Sequence, residues 1–364
     1  MTNDAFVKNV ASQLIEQIRR GTAPWQKPWE PGTSFLPFNP TNGTRYKGIN
    51  VVNLLSRGCS DARWMTYRQA QTKGYQVRRG EKGTQVQYWR FDEERKIKDA
   101  AGRPVLDPNG EPRTEKVRLE RPQVFIAYVF NAEQIDGVPP APSRACTWNP
   151  LEKAEQLIQA ANPRLEHASG DGAYYRPSTD SIHLPLKEQF PSAGDYYSTL
   201  LHELGHWTGH ATRLNRNLSD PFGSIGYARE ELRAEIASMI IGSELGIGYD
   251  PGQHAAYAAS WIRILEDQPF EIFRAAADGE KIHTYLQSLQ QQQLLSGEQR
   301  QADNLEIIKE YDRLVDGPAA RKQLEKDRPS LVAARDRVVV EQKRNRIEQE
   351  LAARSARQSN SLRI

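Results

Sequence analysis

Residues 200–210 read LLHELGHWTGH, and their spacing leaves little freedom of local structure. Tyr197, Leu200, Leu201, Leu204 and Trp207 recur at three- and four-residue steps, the period of a packed helix. Ser192, followed three residues later by Asp195, supplies its N-terminal cap. Three of the chain's seven histidines fall in this stretch. On a helix, residues four apart share a side one turn apart, so His202 and His206 can offer two imidazoles to one ion. Glu203 is rotated by about 100° from His202. It can therefore sit beside a metal-bound water without competing as a ligand. This is the H-E-x-x-H pattern of metal-dependent peptide hydrolysis. Its plain alternative is a polar helix face with unrelated histidines. The cap, the amphipathic spacing and the preceding hairpin-like AYYRPSTDSIHLP, with its turn at 178–180, favour the metal.

A tetrahedral catalytic site needs a third protein ligand and an open position for water. His210 is one more four-residue step along, but three ligands on a straight helix would span about 12 Å. One ion with ligands near 2 Å cannot reach both ends, so His210 is set aside unless the helix breaks at Gly209. The metzincin pattern, which shares the glycine, fails because Thr212 stands where its third histidine is required. The next helical segment, YAREELRAEIASMIIGSELG, supplies carboxylates instead. Glu231 and Glu235 share a face, and Glu230 is turned away by one step. In the gluzincin arrangement one carboxylate binds zinc and a second orients a ligating imidazole through its other nitrogen. Glu231 is the expected ligand and Glu235 the orienting group. The reverse assignment, and a solvated face pairing with Arg229 and Arg233, are the alternatives. One Zn2+ per chain is expected, and the same ligands admit Mn2+. In that chemistry the ion polarises the scissile carbonyl, and Glu203 takes a proton from the bound water and delivers it to the leaving amine. Tyr227 is a candidate to steady the oxyanion, against a simple packing role. The pattern points to a zinc metallopeptidase without itself demonstrating turnover.

Charge divides the chain further. The formal net charge is +3, distributed as +7 over residues 1–140, −10 over 141–318 and +6 over 319–364. A basic first segment invites a polyanion. It opens with an amphipathic helix near 4–20, on which Phe6, Val10, Leu14 and Ile18 recur every fourth residue. The proline-punctuated TAPWQKPWEPG then presents Trp25 and Trp29 with Lys27 between them. Arg45 and Lys47 flank Tyr46, and Arg78, Arg79, Lys82 and Arg90 add charge near other aromatics. Aromatic faces interleaved with cations suit single-stranded DNA, where bases stack and phosphates pair. The alternative is a basic domain whose aromatics all lie in the core, as expected for Trp64 and Trp89. No helix-turn-helix or zinc-finger pattern supports reading of duplex sequence. QVRRGEKGTQVQYWRFD alternates as strands about a Gly-Glu-Lys-Gly turn, residues 92–121 read as a charged hairpin loop or insertion, and RPQVFIAYVFNAEQIDG reads as a buried strand.

The expected fold class is α+β. A mixed α/β single-strand-binding domain (1–140) and a linker (141–150) precede a mostly helical zincin-like domain with a small sheet (151–300), then a basic helical extension (301–364). No run is long and apolar enough for a membrane span, and the first residues lack a signal-peptide core. Only Cys59 and Cys146 are present, so a reducing cytoplasm is expected and a cysteine zinc site is not.

Several longer stretches carry a resemblance: GTAPWQKPW, YKGINVVNLL, RWMTYRQAQTKGYQVRRGEKGTQVQYW and VFNAEQIDG, then LLHELGHWTGHATRLNR and YAREELRAEIAS. With these the chain resembles the ArdC-type antirestriction proteins of conjugative plasmids, whose N-terminal domain is shared with TraC-type plasmid primases. The match spans roughly residues 5–245; the basic tail has no counterpart. The resemblance implies a single-stranded-DNA-binding domain joined to a zincin-like metallopeptidase. It also implies protection of incoming plasmid DNA, with a host restriction-system protein as a further candidate partner. The competing expectation is a non-catalytic protein that coats DNA and keeps a structural or vestigial metal site.

Overall fold

A computed structural model of the chain describes residues 3–26, 36–99, 102–141, 150–170, 172–247, 257–315 and 318–361. It contains two compact units, Met1–Ser288 and Leu289–Ile364, and its class is α+β.

In the first unit, α1 (Asn3–Arg19) turns the fourfold spacing of Phe6, Val10, Leu14 and Ile18 into a buried apolar stripe. Gly21 follows at φ 66°, a left-handed position that suits glycine after a helix. Then come α2 (Ile49–Leu55), β1 (Trp64–Thr66) and α3 (Tyr67–Thr72), which is held by a Thr66–Gln69 capping box. β3 (Thr84–Lys96) and β4 (Thr114–Asn131) form a long antiparallel hairpin, and β1 adds to the other side of β4. The outer edge of β3 is covered by α2. Asn50 exchanges two hydrogen bonds with the Gln87 backbone, at 2.7 and 2.8 Å, and Asn53 donates to the Gln85 carbonyl at 2.8 Å. This blunts an edge that would otherwise pair with another chain.

Two strand expectations change here. The Gly-Glu-Lys-Gly turn does not join partners, because β2 (Gln76–Val77) pairs with β5 (Ile135–Asp136) instead. Residues 92–121 are not simply a loop: pairing continues from Thr84↔Val129 out to Lys96↔Thr114, with an irregularity between Arg90 and Asp92.

Next are α4 (Pro150–Ala161) and a small sheet of β6 (Arg164–Ala168), β7 (Tyr174–Arg176) and β8 (Ser181–Pro185). β8 is central, antiparallel to β7 and parallel to β6. Helices α5 (Ala193–Trp207), α6 (Ile225–Leu245), α7 (Ala258–Asp267) and α8 (Glu271–Leu314) follow.

The stripe of α1 meets these later helices. Leu232, Ile236 and Met239 of α6, Trp261 and Leu265 of α7, and Ile272 of α8 complete one core with it. Trp25 is 0 % exposed in that core and stands edge-on to Trp261 at 6.2 Å. It can offer no face to a base, so its expected role in stacking is corrected: it is a core residue. Lys27 and Trp29 lie outside the described residues, as does most of the expected linker. Arg45 is likewise committed, its guanidinium bonding both oxygens of Glu280 on α8 at 3.0 and 2.6 Å. The basic and acidic stretches of the sequence therefore interlock through shared apolar and ionic contacts.

The second unit contains α9 (Pro318–Asp327) and α10 (Pro329–Ser361), with Tyr311, Leu324 and Val332 in its apolar cluster. Among the described residues, no helix is long and apolar enough to cross a membrane.

Candidate metal centre

Two capped helices position the centre. Ser192 accepts the Asp195 N–H at 3.1 Å to start α5, and Ser224 accepts the Tyr227 N–H at 3.1 Å to start α6. Where the helices pack, Gly205 faces Ala234; a Cβ at Gly205 would meet the Ala234 Cα at 3.4 Å. That close approach carries Glu231, one turn earlier on α6, across to the α5 histidines.

The Nε2 atoms of His202 and His206 lie 3.2 Å apart. Glu231 places its Oε2 3.4 Å from the His202 Nε2 and its Oε1 3.4 Å from the His206 Nε2. Donors held tetrahedrally at 2.0–2.1 Å from one ion are about 3.3 Å apart. The triangle therefore fits a single metal, and two imidazoles with a carboxylate suit Zn2+ or Mn2+. His210 lies beyond the end of α5, with its Nδ1 2.9 Å from the Thr212 hydroxyl, outside this set.

Behind each imidazole stands a carboxylate. Glu235 is 3.9 Å from Nδ1 of His202. Glu230 is 3.3 Å from Nδ1 of His206. The turned-away position assigned to Glu230 is thus corrected: one residue step removes it from the ligand triangle but aims it at the far nitrogen of His206. Arg216 fixes Glu230 in turn. Its Nη2 donates to Glu230 Oε1 at 2.7 Å and to the Gly205 carbonyl at 2.7 Å, and Nη1 donates to the Thr208 hydroxyl at 2.9 Å. Helix spacing alone contained no signal for this clamp, because Arg216 comes from the intervening loop.

Burial by itself opposes charge on His202, His206, Glu230 and Glu231, but attraction to their partners overcomes it. Glu231 is pulled far below the usual carboxylate range by His206 and His202. Both imidazoles are raised, His202 by Glu231 and Glu235, and His206 by Glu231 and Glu230. Glu230 is lowered by His206 and Arg216.

The triangle opens on a cleft of about 440 Å³ whose walls include Tyr174, Phe190, Asn217, Tyr227 and Tyr257. Glu203 is buried on that wall beside the triangle rather than within it. Burial, then the Glu231 charge and hydrogen bonding to Tyr257 and Glu231, raise the Tyr227 hydroxyl. It keeps its proton at neutral pH and can act as a donor.

The remaining expected contact residues are scattered. Lys47, Arg79, Lys82 and Arg90 are exposed. Arg78 is exposed but bonds Glu81 at 3.1 Å and the Glu133 carbonyl. Tyr46 is half-buried, donates to the Trp64 carbonyl at 3.2 Å, and is pushed up to about 12 by burial. Trp64 is core as expected, but Trp89 is 38 % exposed, which corrects its assignment to the core.

Residues 152–278 match the zincin-like metallopeptidase family, and residues 4–130 match the N-terminal domain of anti-restriction factor ArdC. The metal-free crystal structure of the antirestriction protein ArdC from plasmid R388 superposes with a TM-score of 0.61 at 36 % identity. The match covers 79 % of this chain and 98 % of that one. The chain belongs to the ArdC family of antirestriction proteins. The Mn(II)-bound ArdC structure matches at TM-score 0.60 and 35 % identity, over 78 % of this chain and 97 % of that one. A DNA primase TraC of Escherichia coli is 63 % identical over 292 residues, which are 79 % of this chain and 20 % of the primase. A second E. coli TraC primase is 60 % identical over 300 residues, 82 % of this chain and 28 % of that protein. This ArdC-family chain thus spans less than a third of the length of those primases. An uncharacterized protein of Sinorhizobium fredii is 34 % identical over 291 residues, 78 % of this chain and 92 % of that protein.

Proposed function

We propose that this ArdC-family chain binds single-stranded DNA and carries a gluzincin-type zinc metallopeptidase site. On this reading it protects incoming plasmid DNA from host restriction during conjugation, in the recipient cytoplasm. DNA binding is assigned to residues 1–140 and peptide hydrolysis to 151–300, with a host restriction-system protein as candidate target. The observation that carries the peptidase part is the His202–His206–Glu231 triangle, open to a cleft and flanked by Glu203.

His202, His206 and Glu231 would hold the ion, with Zn2+ preferred and Mn2+ admitted by the same donors. When bound, the metal supplies Lewis-acid polarisation and a more acidic water. Glu203 accepts the proton of the attacking water and passes it to the leaving amine. The Tyr227 hydroxyl donates toward the developing oxyanion. Glu230, held by Arg216, and Glu235 orient the imidazoles.

The deciding experiment pairs metal analysis with a protection assay. Wild-type protein should carry about one equivalent of metal and His202→Ala should carry none; equal contents would sink the site assignment. Glu203→Ala should retain the metal and lose hydrolysis. If protection survives in that variant, it arises from coating DNA and the peptidase is dispensable to it.

A further inference from the structure

The β3–β4 hairpin exposes five large aromatic residues, Tyr88, Trp89, Phe91, Phe125 and Tyr128, each between 38 and 55 % exposed. The register explains why they lack cover. Thr84 pairs with Val129, Val86 with Ala127 and Tyr88 with Phe125, so these pairs follow one another along one face of the sheet. Val86 and Val129 are buried against Leu54 of α2 and against Trp64. One pair further out, Tyr88 and Phe125 have passed the end of that cover. Their rings remain adjacent, with centroids 6.3 Å apart. A cluster of exposed rings on a sheet marks an interaction surface.

The charge beside the rings identifies the occupant. Arg90 shares this face, and its guanidinium lies over the Phe125 ring, 4.8 Å from the centroid. Among the described residues, no carboxylate forms an ion pair with Arg90. Of the hairpin's acidic residues, Glu120 lies on β4 within the irregularity after Arg90, and the others lie beyond it, where Asp92 pairs with Lys116 and Glu93 with Arg95. Tyr88, Phe125 and Arg90 thus present two rings and an uncompensated cation in a row. On the opposite face Trp89 and Phe91 stack at 6.5 Å with planes 23° apart.

Resting on the single-strand reading above, we propose that Tyr88, Phe125 and Arg90 are the base-stacking platform for single-stranded DNA, extended on the other face by Trp89 and Phe91. Bases stack on the rings, and the guanidinium meets a base plane or a phosphate. Every base has a π-face, so the platform is tolerant of sequence. It takes over the role that the sequence suggested for Trp25.

The test is fluorescence anisotropy of a labelled oligo-dT with the full chain. Tyr88→Ala combined with Phe125→Ala should weaken binding by about tenfold or more, whereas Tyr88→Phe should bind like wild type. Arg90→Gln should weaken binding and lower the slope of log K against log salt by about one. All three variants should keep the wild-type melting temperature and metal content, because these side chains cover no core and touch no ligand. If wild type binds and the double variant matches it within about twofold, which is under 1 kcal/mol, the platform is overturned while single-strand binding stands. If wild type does not bind oligo-dT, the single-strand reading fails, and the exposed face is left to a protein partner.

Discussion

The metal centre and the hairpin face are built on opposite plans. At the centre, helices hold buried side chains, and even the carboxylate behind His206 is pinned by an arginine. On the hairpin, rings project into solvent past the end of their own core. The difference matches the two kinds of ligand proposed for them. A single ion tolerates errors of only about half an ångström in its donors. A flexible polymer can shift along a surface until its bases find rings. The centre spends its structure on rigidity, and the face on accessible area.

The largest expected effect is at the ligands: His202→Ala or Glu231→Ala should abolish stoichiometric metal while leaving oligonucleotide affinity unchanged. A parallel loss of both would break the separation of the two regions. The two tryptophans sharpen the contrast next. Trp25→Ala should cost about 3–5 kcal/mol in denaturant unfolding, as for a large core truncation. Trp89→Ala should change stability by no more than about 0.5 kcal/mol, as on a surface. The clamp comes third. Arg216→Ala should weaken metal binding by about 10–100-fold, as other outer partners of metal-ligating histidines do. Arg216→Lys should restore little, because an ammonium lacks the planar fork that bonds Glu230, Thr208 and Gly205 together. A wild-type metal affinity for both variants would show Glu230 to be mere packing.

The last contrast is in pH. His202 and His206 are raised, so in the metal-free centre protons compete with the ion for the same nitrogens. Lowering pH strengthens that competition. Metal affinity should therefore fall by about tenfold per pH unit for each proton displaced. Oligonucleotide binding by the hairpin face, which contains no histidine, should stay nearly level across pH 6 to 8. Chelator competition and anisotropy on the same samples would expose any shared titration.

Local periodicity made some of this legible in advance. The α1 stripe, the Ser192 cap, the four-residue step from His202 to His206 and the shared face of Glu231 and Glu235 all follow from one helical repeat. What escaped depends on contacts distant in sequence. Glu230 found its role through Arg216, fourteen residues earlier in a loop. β2 found its partner at 135–136, not across the adjacent turn. The tryptophans were misassigned for the same reason. A proline-rich setting for Trp25 says nothing of Trp261 waiting to enclose it, and strand alternation cannot reveal where α2 stops covering β3.

The core that α1 shares with α6 and α7 bears on how such a gene can be cut and joined. Splitting the coding sequence between residues 130 and 152, where the two family matches leave a gap, would strip Leu232, Ile236 and Trp261 of their cover and leave the α1 stripe bare. Neither fragment would be a sound building block. Recombination would then favour moving the block intact, at about the 292 residues shared with a primase about five times that length.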